Sequence, residues 1–432
     1  MMKFTNILHS FILGFTNSTF HVVKFLGLAT LLLLVVGASS SYFQNGTSST
    51  PAAVPNNKEH EVIPTVPSTR PPGDPPVLAY WIYGSSGDSQ RMVRLLKATY
   101  HPRNQYLLLL DASSSASERT DLALSIQADP LFNAFENVNV VGRSYGVNQM
   151  GGSGLAAMLH ASALLLKITA NWDWFIPLSA AYDYPLYTQD DILHGFTFLP
   201  RDLNFVHFSN NTPSPDDQDE RVRQVVVDPS LYTGKSSPIF NAKGTRNAPN
   251  TFKILAGSPW VILSRSLIDF CVKGWDNFPR KLLMYMSNMP SPLEFYFQTL
   301  ICNTPSFHNT TVDNDLRYVM SKNDTLSKIG EFPIVARPFE NENEALLQEI
   351  DNKILNRSAN GVVPGKWSLE HTTNNVTGNN GNKQRDGRRW GDINSVKASP
   401  RGVQLGLALS KLANEGIMRF DGCPRPSILL NR

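Results

Sequence analysis

Cysteine is scarce in this 432-residue chain, which has only Cys271, Cys302 and Cys423. Three cysteines do not make a disulfide framework, and no spacing here resembles a zinc site. The odd count leaves at least one thiol free or paired with another chain. A charge surplus is lacking as well: the net charge is +3, too small to argue for nucleic acid. No H-E-x-x-H and no G-x-x-x-x-G-K-S/T run occurs, which excludes the zinc-protease helix and the P-loop. Asp217-Gln218-Asp219 has the D-x-D form that binds a metal-nucleotide, but it lies in the polar run Pro213 to Arg221 with no strand before it. A solvated charge run is the better reading, and no metal site is expected. Hydrophobic residues make up 41% and charged residues 17%, enough for a substantial core and against global disorder.

Charge is also absent locally. No charged residue occurs from Phe25 to Asn57, and Phe25 to Ala38 is nearly all aliphatic. A membrane span needs about 20 mostly apolar residues, so 20–43 reads as a signal anchor behind a cytosolic tail, 1–19. Lys3 and Lys24 on the amino side favour the N-terminus in the cytosol. A cleaved signal peptide ending near Ala38-Ser39-Ser40 is the competing reading. Residues 44–76 are rich in Pro, Ser and Thr and read as an extended stem. Asn45, Asn210, Asn309, Asn323, Asn356 and Asn375 each begin an Asn-x-Ser/Thr sequon, which suits a lumenal domain over 77–432.

That domain reads as α/β. Val77 to Tyr83 is a buried strand, and Gly84 to Asp88 is a turn. A helix then runs to about Tyr100, and Tyr106 to Leu110 is the next strand. Helix Ser117 to Gln127, strand Val138 to Val141, helix Ser153 to Lys167 and strand Trp174 to Leu178 continue the alternation. This pattern predicts a Rossmann-like sheet with helices on both faces. Ligands of such sheets bind beyond the strand carboxyl ends, here Gly84 to Asp88, Asp111 and Ser179 to Pro185. Thr188 to Asp191 fits a helix start with structural carboxylates. Gly151 to Gly154 could approach a phosphate at a helix start, but a plain glycine turn is the better reading.

The chain centres on Gly257 to Asn303. Phe252 to Leu263 reads as a short core strand, and Ser264 as the N-cap of a helix over Ser266 to Val272. Glu294 follows a proline and precedes an aromatic run. It either opens a helix, where the positive helix end favours its charge, or projects into a cleft.

Three runs order this stretch: Gly257-Ser258-Pro259-Trp260-Val261-Ile262-Leu263-Ser264-Arg265, Gly274 to Arg280, and Ser291 to Asn303. Together they resemble the core-2/I-branching N-acetylglucosaminyltransferase family, glycosyltransferase family 14, most closely its plant branch. The similarity extends from about Pro76 to about Leu412. It implies a GT-A fold, a single-pass type II Golgi membrane protein, and inverting transfer from a UDP-sugar without a metal or other cofactor. It implies Glu294 as the catalytic base. Asp111, Asp183, Ser258 and Trp260 are implied as donor-binding, with Asp111 on the uridine. The run Ser179 to Pro185 is one residue longer than the family pattern, and Ser368 stands where the family commonly has cysteine. The resemblance further implies that basic residues near Trp390 to Asn394 take the place of a metal at the diphosphate, which marks Arg385, Lys397 and Arg401 as candidates. A solvated basic face is the other reading of each.

The expected partners are a UDP-sugar donor, a glycan acceptor on a glycoprotein and, through the anchor, a membrane. The plant branch points to glucuronic acid and the galactans of arabinogalactan proteins. Xylose or N-acetylglucosamine is the alternative donor, and a non-catalytic glycan-binding scaffold is the alternative of a different class.

Overall fold

A computed structural model describes residues 73–209, 220–321, 324–325, 333–339, 343–358, 360–368 and 390–418. The proposed tail, anchor and nearly all of the stem lie outside these residues. So do Asn45, Asn210, Asn323, Asn375, Arg385 and the Asp217 to Asp219 run. Among the described residues no helix is long and apolar enough to cross a membrane.

Strand β1 (Leu78–Gly84) carries five buried residues in succession and stops at a glycine. A side chain at Gly84 would meet the Asp88 Cβ at 2.8 Å, so the turn closes too tightly for any other residue. Helix α1 (Ser89–Ala98) buries Met92, Leu95 and Leu96, spaced to face one side. Strand β2 (Gln105–Leu110) returns parallel to β1. Helix α2 (Ala116–Ala128) starts where the Ser115 side chain accepts the Glu118 N–H. Strand β3 (Val138–Val140), helix α3 (Gly152–Ile168) and strand β4 (Trp174–Ser179) complete the alternation read from the sequence.

The remaining strands are β5 (Tyr184–Pro185), β6 (Asn204–Phe208), β7 (Gln224–Val227), β8 (Phe240–Thr245) and β9 (Gly257–Ser264). After them come β10 (Thr311–Val312), β11 (Arg317–Val319) and β12 (Val335–Arg337). The longer helices between and after them are α4 (Gln189–Thr197), α5 (Arg265–Lys273), α6 (Phe278–Met286), α7 (Tyr296–Cys302), α8 (Glu344–Lys353) and α9 (Pro400–Met418).

The main sheet has seven strands in the order β10-β6-β9-β4-β1-β2-β3. Strand β1 pairs parallel with β2 on one side and β4 on the other. The chain therefore reverses its direction of growth between β1 and β4, which opens a crevice at their carboxyl ends. Strand β9 runs antiparallel to both β4 and β6. Ser264, its last residue, pairs with Trp174, the first of β4. Its first residues, Gly257 to Trp260, therefore lie at the end where β1, β2 and β4 finish.

Side-chain alternation along β1 divides the core in two. Leu78, Tyr80 and Ile82 pack with α1, α2, α4, α8 and α9 on one face. Ala79 and Trp81 pack with α3, α5, α6 and α7 on the other. Helices thus cover both faces, as the sequence pattern predicts.

One boundary differs. The apolar run Phe252 to Leu263 is not all strand, because β9 begins at Gly257. The amides of Lys253 and Leu255 donate instead to side chains of Asn303 and Thr299, at and beside α7. Apolar composition cannot distinguish backbone that joins a sheet from backbone that bonds to a helix beneath it.

Candidate functional site

A cavity of about 690 Å³ opens at the carboxyl ends of β1, β2 and β4. Trp81, Tyr83, Asp111, Gln149, Ser179 and Tyr182 are among the residues that line it. A larger groove, about 1160 Å³, runs between α1, α2 and α8. It lies on a helical face away from the switch point, so the smaller cavity is the better candidate.

Asp111 ends β2 at this cavity, and its amide donates to the Gly84 carbonyl at 3.0 Å. Its carboxylate is held on both sides: Oδ1 accepts from the Ser113 amide at 3.0 Å, and Oδ2 from the Ser236 hydroxyl at 2.6 Å. Ser236 is far away in sequence, so the pairing could not be read from spacing. The neighbouring Gly84 to Asp88 loop is equally fixed. Asp88 Oδ2 accepts the Ser85 amide at 2.8 Å, and Glu118 Oε1 accepts the amides of Gly87 and Ser89 at the start of α1. Arg91 reaches from α1 to the Ala181 carbonyl at 2.8 Å and brings a cation to the cavity wall.

Asp183 sits deeper than its sequence role implies. Its side chain has no exposed surface. Oδ2 accepts the Ser179 amide at 2.7 Å, which closes the turn after β4. Oδ1 lies 3.0 Å from Arg337 Nε, an ion pair whose angle falls short of a hydrogen bond. The Arg337 guanidinium in turn lies 3.3 Å from the Trp260 ring centroid. The structure therefore joins Asp183 and Trp260 through an arginine that the sequence reading missed. Burial pushes the Arg337 guanidinium below its ordinary range, and Asp183 opposes that shift. Burial, and then Asp183, raise the nearby Tyr83 phenol, so it stays neutral. Ser258 is half-buried and serves β9: its carbonyl accepts from Gln298 Nε2 at 2.7 Å and its hydroxyl from the Trp260 amide at 3.2 Å.

Glu294 ends a 3-10 turn, Pro292–Glu294, rather than opening a helix. The turn starts from Ser291 in a left-handed conformation, φ 51°. The Ser291 amide donates to the Met150 carbonyl at 2.9 Å, next to the cavity residue Gln149. Glu294 itself does not line the cavity. Its Oε2 lies 2.7 Å from Arg221 Nη1, and about a third of its side chain is exposed. The Arg221 guanidinium also lies 4.7 Å from the Phe295 ring, so the carboxylate is oriented by an anchored partner.

Lys397 and Arg401 do not join this site, which corrects the sequence reading. The Lys397 amide donates to Asp190 at 3.0 Å, and Asp190 lies 3.5 Å from His101, just ahead of β2. Gln189 beside it accepts from Tyr80 and from Asn104, which in turn accepts the Leu78 amide. These contacts belong to the amino end of the sheet. The Arg401 guanidinium lies 4.8 Å from the Tyr187 ring, just ahead of α4. Nearness in sequence to Trp390 to Asn394 says nothing about which sheet end a residue occupies. The α4 carboxylates are structural as read, since Asp191 accepts the Ser399 amide and hydroxyl.

A second D-x-D run, Asp313-Asn314-Asp315, went unremarked in the sequence reading. Asp313 is engaged by His207 at 3.0 Å and by the Phe208 amide at 2.8 Å, and Asp315 accepts the Arg317 amide at 3.1 Å. Among the described residues no cluster of three or more His, Cys, Asp or Glu side chains is arranged to hold a metal ion. Asn309 and Asn356 are exposed. Ser368, where the family commonly has cysteine, closes its own loop by bonding to Gly365. Among the described residues Cys271 is a buried free thiol and Cys302 is disulfide-bonded.

The family described as "Branch: Core-2/I-Branching enzyme" matches residues 78–335. This chain belongs to that family of glycosyltransferases. It is 39% identical over 349 residues to the beta-glucuronosyltransferase GlcAT14A of Arabidopsis thaliana, covering 78% of this chain and 74% of that one. With GlcAT14B of the same plant it shares 42% over 304 residues, covering 68% and 69%. Xylosyltransferase 1 of Rattus norvegicus is 29% identical over 247 residues, covering 57% of this chain and 28% of that one.

Proposed function

We propose that this protein transfers glucuronic acid from UDP-glucuronic acid to a galactan hydroxyl of a glycoprotein glycan, on a GT-A-type fold. The similarity to GlcAT14A and GlcAT14B carries the choice of sugar. The acceptor oxygen attacks the anomeric carbon from the face opposite the nucleotide. The bond from that carbon to the phosphate oxygen breaks, UDP leaves, and the configuration inverts. The acceptor proton passes to the Glu294 carboxylate as the new bond forms. Its ion pair with Arg221 supports this reading by fixing the orientation of the carboxylate.

Uridine is assigned to Asp111 and the sugar to the end where Trp260 and Asp183 meet. The developing diphosphate charge is met by fixed cations, without metal or cofactor. Arg91 on the cavity wall is placed for this, and Arg385 keeps the role implied for it. The protein is assigned to the Golgi membrane as a single-pass type II protein with its catalytic domain in the lumen. Xylose is the second donor to test, given the xylosyltransferase similarity.

The decisive experiment incubates the full-length protein with a galactan acceptor, excess chelator and each of UDP-glucuronate, UDP-xylose and UDP-N-acetylglucosamine. Transfer from UDP-glucuronate in chelator is expected. Transfer from another donor alone, or only after manganese is restored, would sink the donor or the metal-free assignment respectively.

A further inference from the structure

Strands β11 and β12 pair in parallel, with Arg317 level with Val335 and Val319 level with Arg337. Residues two apart share a strand face, so the two arginine side chains lie on the same side. Both are incompletely used. Arg337 rests on Trp260 and meets Asp183 through Nε, and its side chain is 11% exposed. Among the described residues its Nη atoms carry no hydrogen bond. Arg317 is 9% exposed. Its Nη2 donates to the Pro177 carbonyl at 2.9 Å, while Nε and Nη1 are buried without a partner.

Buried donors without acceptors are costly, and native proteins rarely keep several in one place. The groups facing them do not fill the gap. Asp183 gives one oxygen to Ser179, Asp315 gives one to the Arg317 amide, and burial keeps the Tyr83 phenol neutral. The position selects what would fill it. A nucleotide anchored at Asp111, just after β2, that extended across β1 would direct its sugar toward β4 and β9. Arg337 stands there, between Asp183 after β4 and Trp260 in β9. A planar guanidinium matches a carboxylate in shape and charge.

We propose that Arg337, reinforced by Arg317, binds the C6 carboxylate of a uronic-acid donor sugar. This rests on the glucuronosyl reading above and assigns it a specificity determinant.

Calorimetric titration of the full chain with UDP-glucuronate, UDP-glucose and UDP tests the assignment. Arg337→Lys keeps a cation beside Asp183 but loses the planar donors. Arg317→Gln leaves that ion pair untouched and decides the matter if the first variant does not fold. UDP-glucuronate affinity is expected to fall about 10- to 100-fold, the scale of a lost charge-assisted hydrogen bond. UDP-glucose and UDP should hold their affinities. Equal losses for all three ligands would move the arginines to the diphosphate and overturn the proposal. Unchanged affinities in folded variants would overturn it too. A wild type with no preference for UDP-glucuronate over UDP-glucose would instead overturn the donor reading beneath it.

Discussion

Single residues divide into those whose chemistry is local and those whose chemistry comes from distant partners. Glu294 stands out in the sequence because three neighbouring runs frame it, and its role as base is a proposal. Its partner Arg221 does not, being 73 residues away. Glu294→Gln keeps the shape and removes the proton acceptor. Turnover should fall about 100- to 10,000-fold, the usual contribution of a general base, with UDP affinity and melting temperature little changed. Near-wild-type turnover on whichever UDP-sugar the enzyme uses would exclude it as the base. Gly257 gives a contrasting prediction. A side chain there would meet the His207 carbonyl oxygen at 2.0 Å. Gly257→Ala should therefore lose roughly 1–3 kcal/mol in denaturant unfolding, the scale of an overpacked core. Lys397 and Arg401 lie toward the amino end of the sheet, a placement hidden at first because sequence records order along the chain, not which sheet end the chain has reached.

Helices and strands were the most legible level. The alternation from β1 to β4 was read within a residue or two, because β1, β2 and β4 are short buried runs and Ser89–Ala98 carries a spaced apolar stripe. Ser264 was read as an N-cap, and its side chain does accept the Leu267 amide, at 3.3 Å. Ser264→Ala should cost about 1 kcal/mol in thermal or chemical unfolding. An unchanged midpoint would mean that this long bond contributes little. The turn Pro292–Glu294 was harder to place. A proline followed by a glutamate fits a first helical turn, and only the left-handed Ser291 makes a separate 3-10 turn before α7.

At the level of the whole molecule, the split of β1 side chains between two non-overlapping cores fixes where a ligand can enter. Helices close both faces of the sheet, which leaves its ends. The reversal between β1 and β4 leaves the carboxyl end open. Only the alternation, and the rule that ligands sit beyond strand carboxyl ends, were legible in the sequence; the reversal itself comes from the spatial order of the strands. The antiparallel β9, which delivers Trp260 to the same end, was not legible either. The orientation across a membrane rests on sequence. If the large domain is lumenal, protease added outside intact microsomes should spare it, and glycosidase should increase its gel mobility. Digestion of the domain in sealed vesicles would overturn the type II assignment.

The state of the cysteines has a practical consequence for spectroscopy. Cys302 is oxidised, and Cys271 is buried with its thiol pushed up by burial, so neither offers a reactive thiolate. Among the described residues, native protein therefore presents no ready target to maleimide. Tyr182, 46% exposed on the cavity rim, is a site where Tyr182→Cys would add one accessible label. A fluorophore or spin probe attached there would report donor entry in real time, with Cys271 and Cys302 silent behind it.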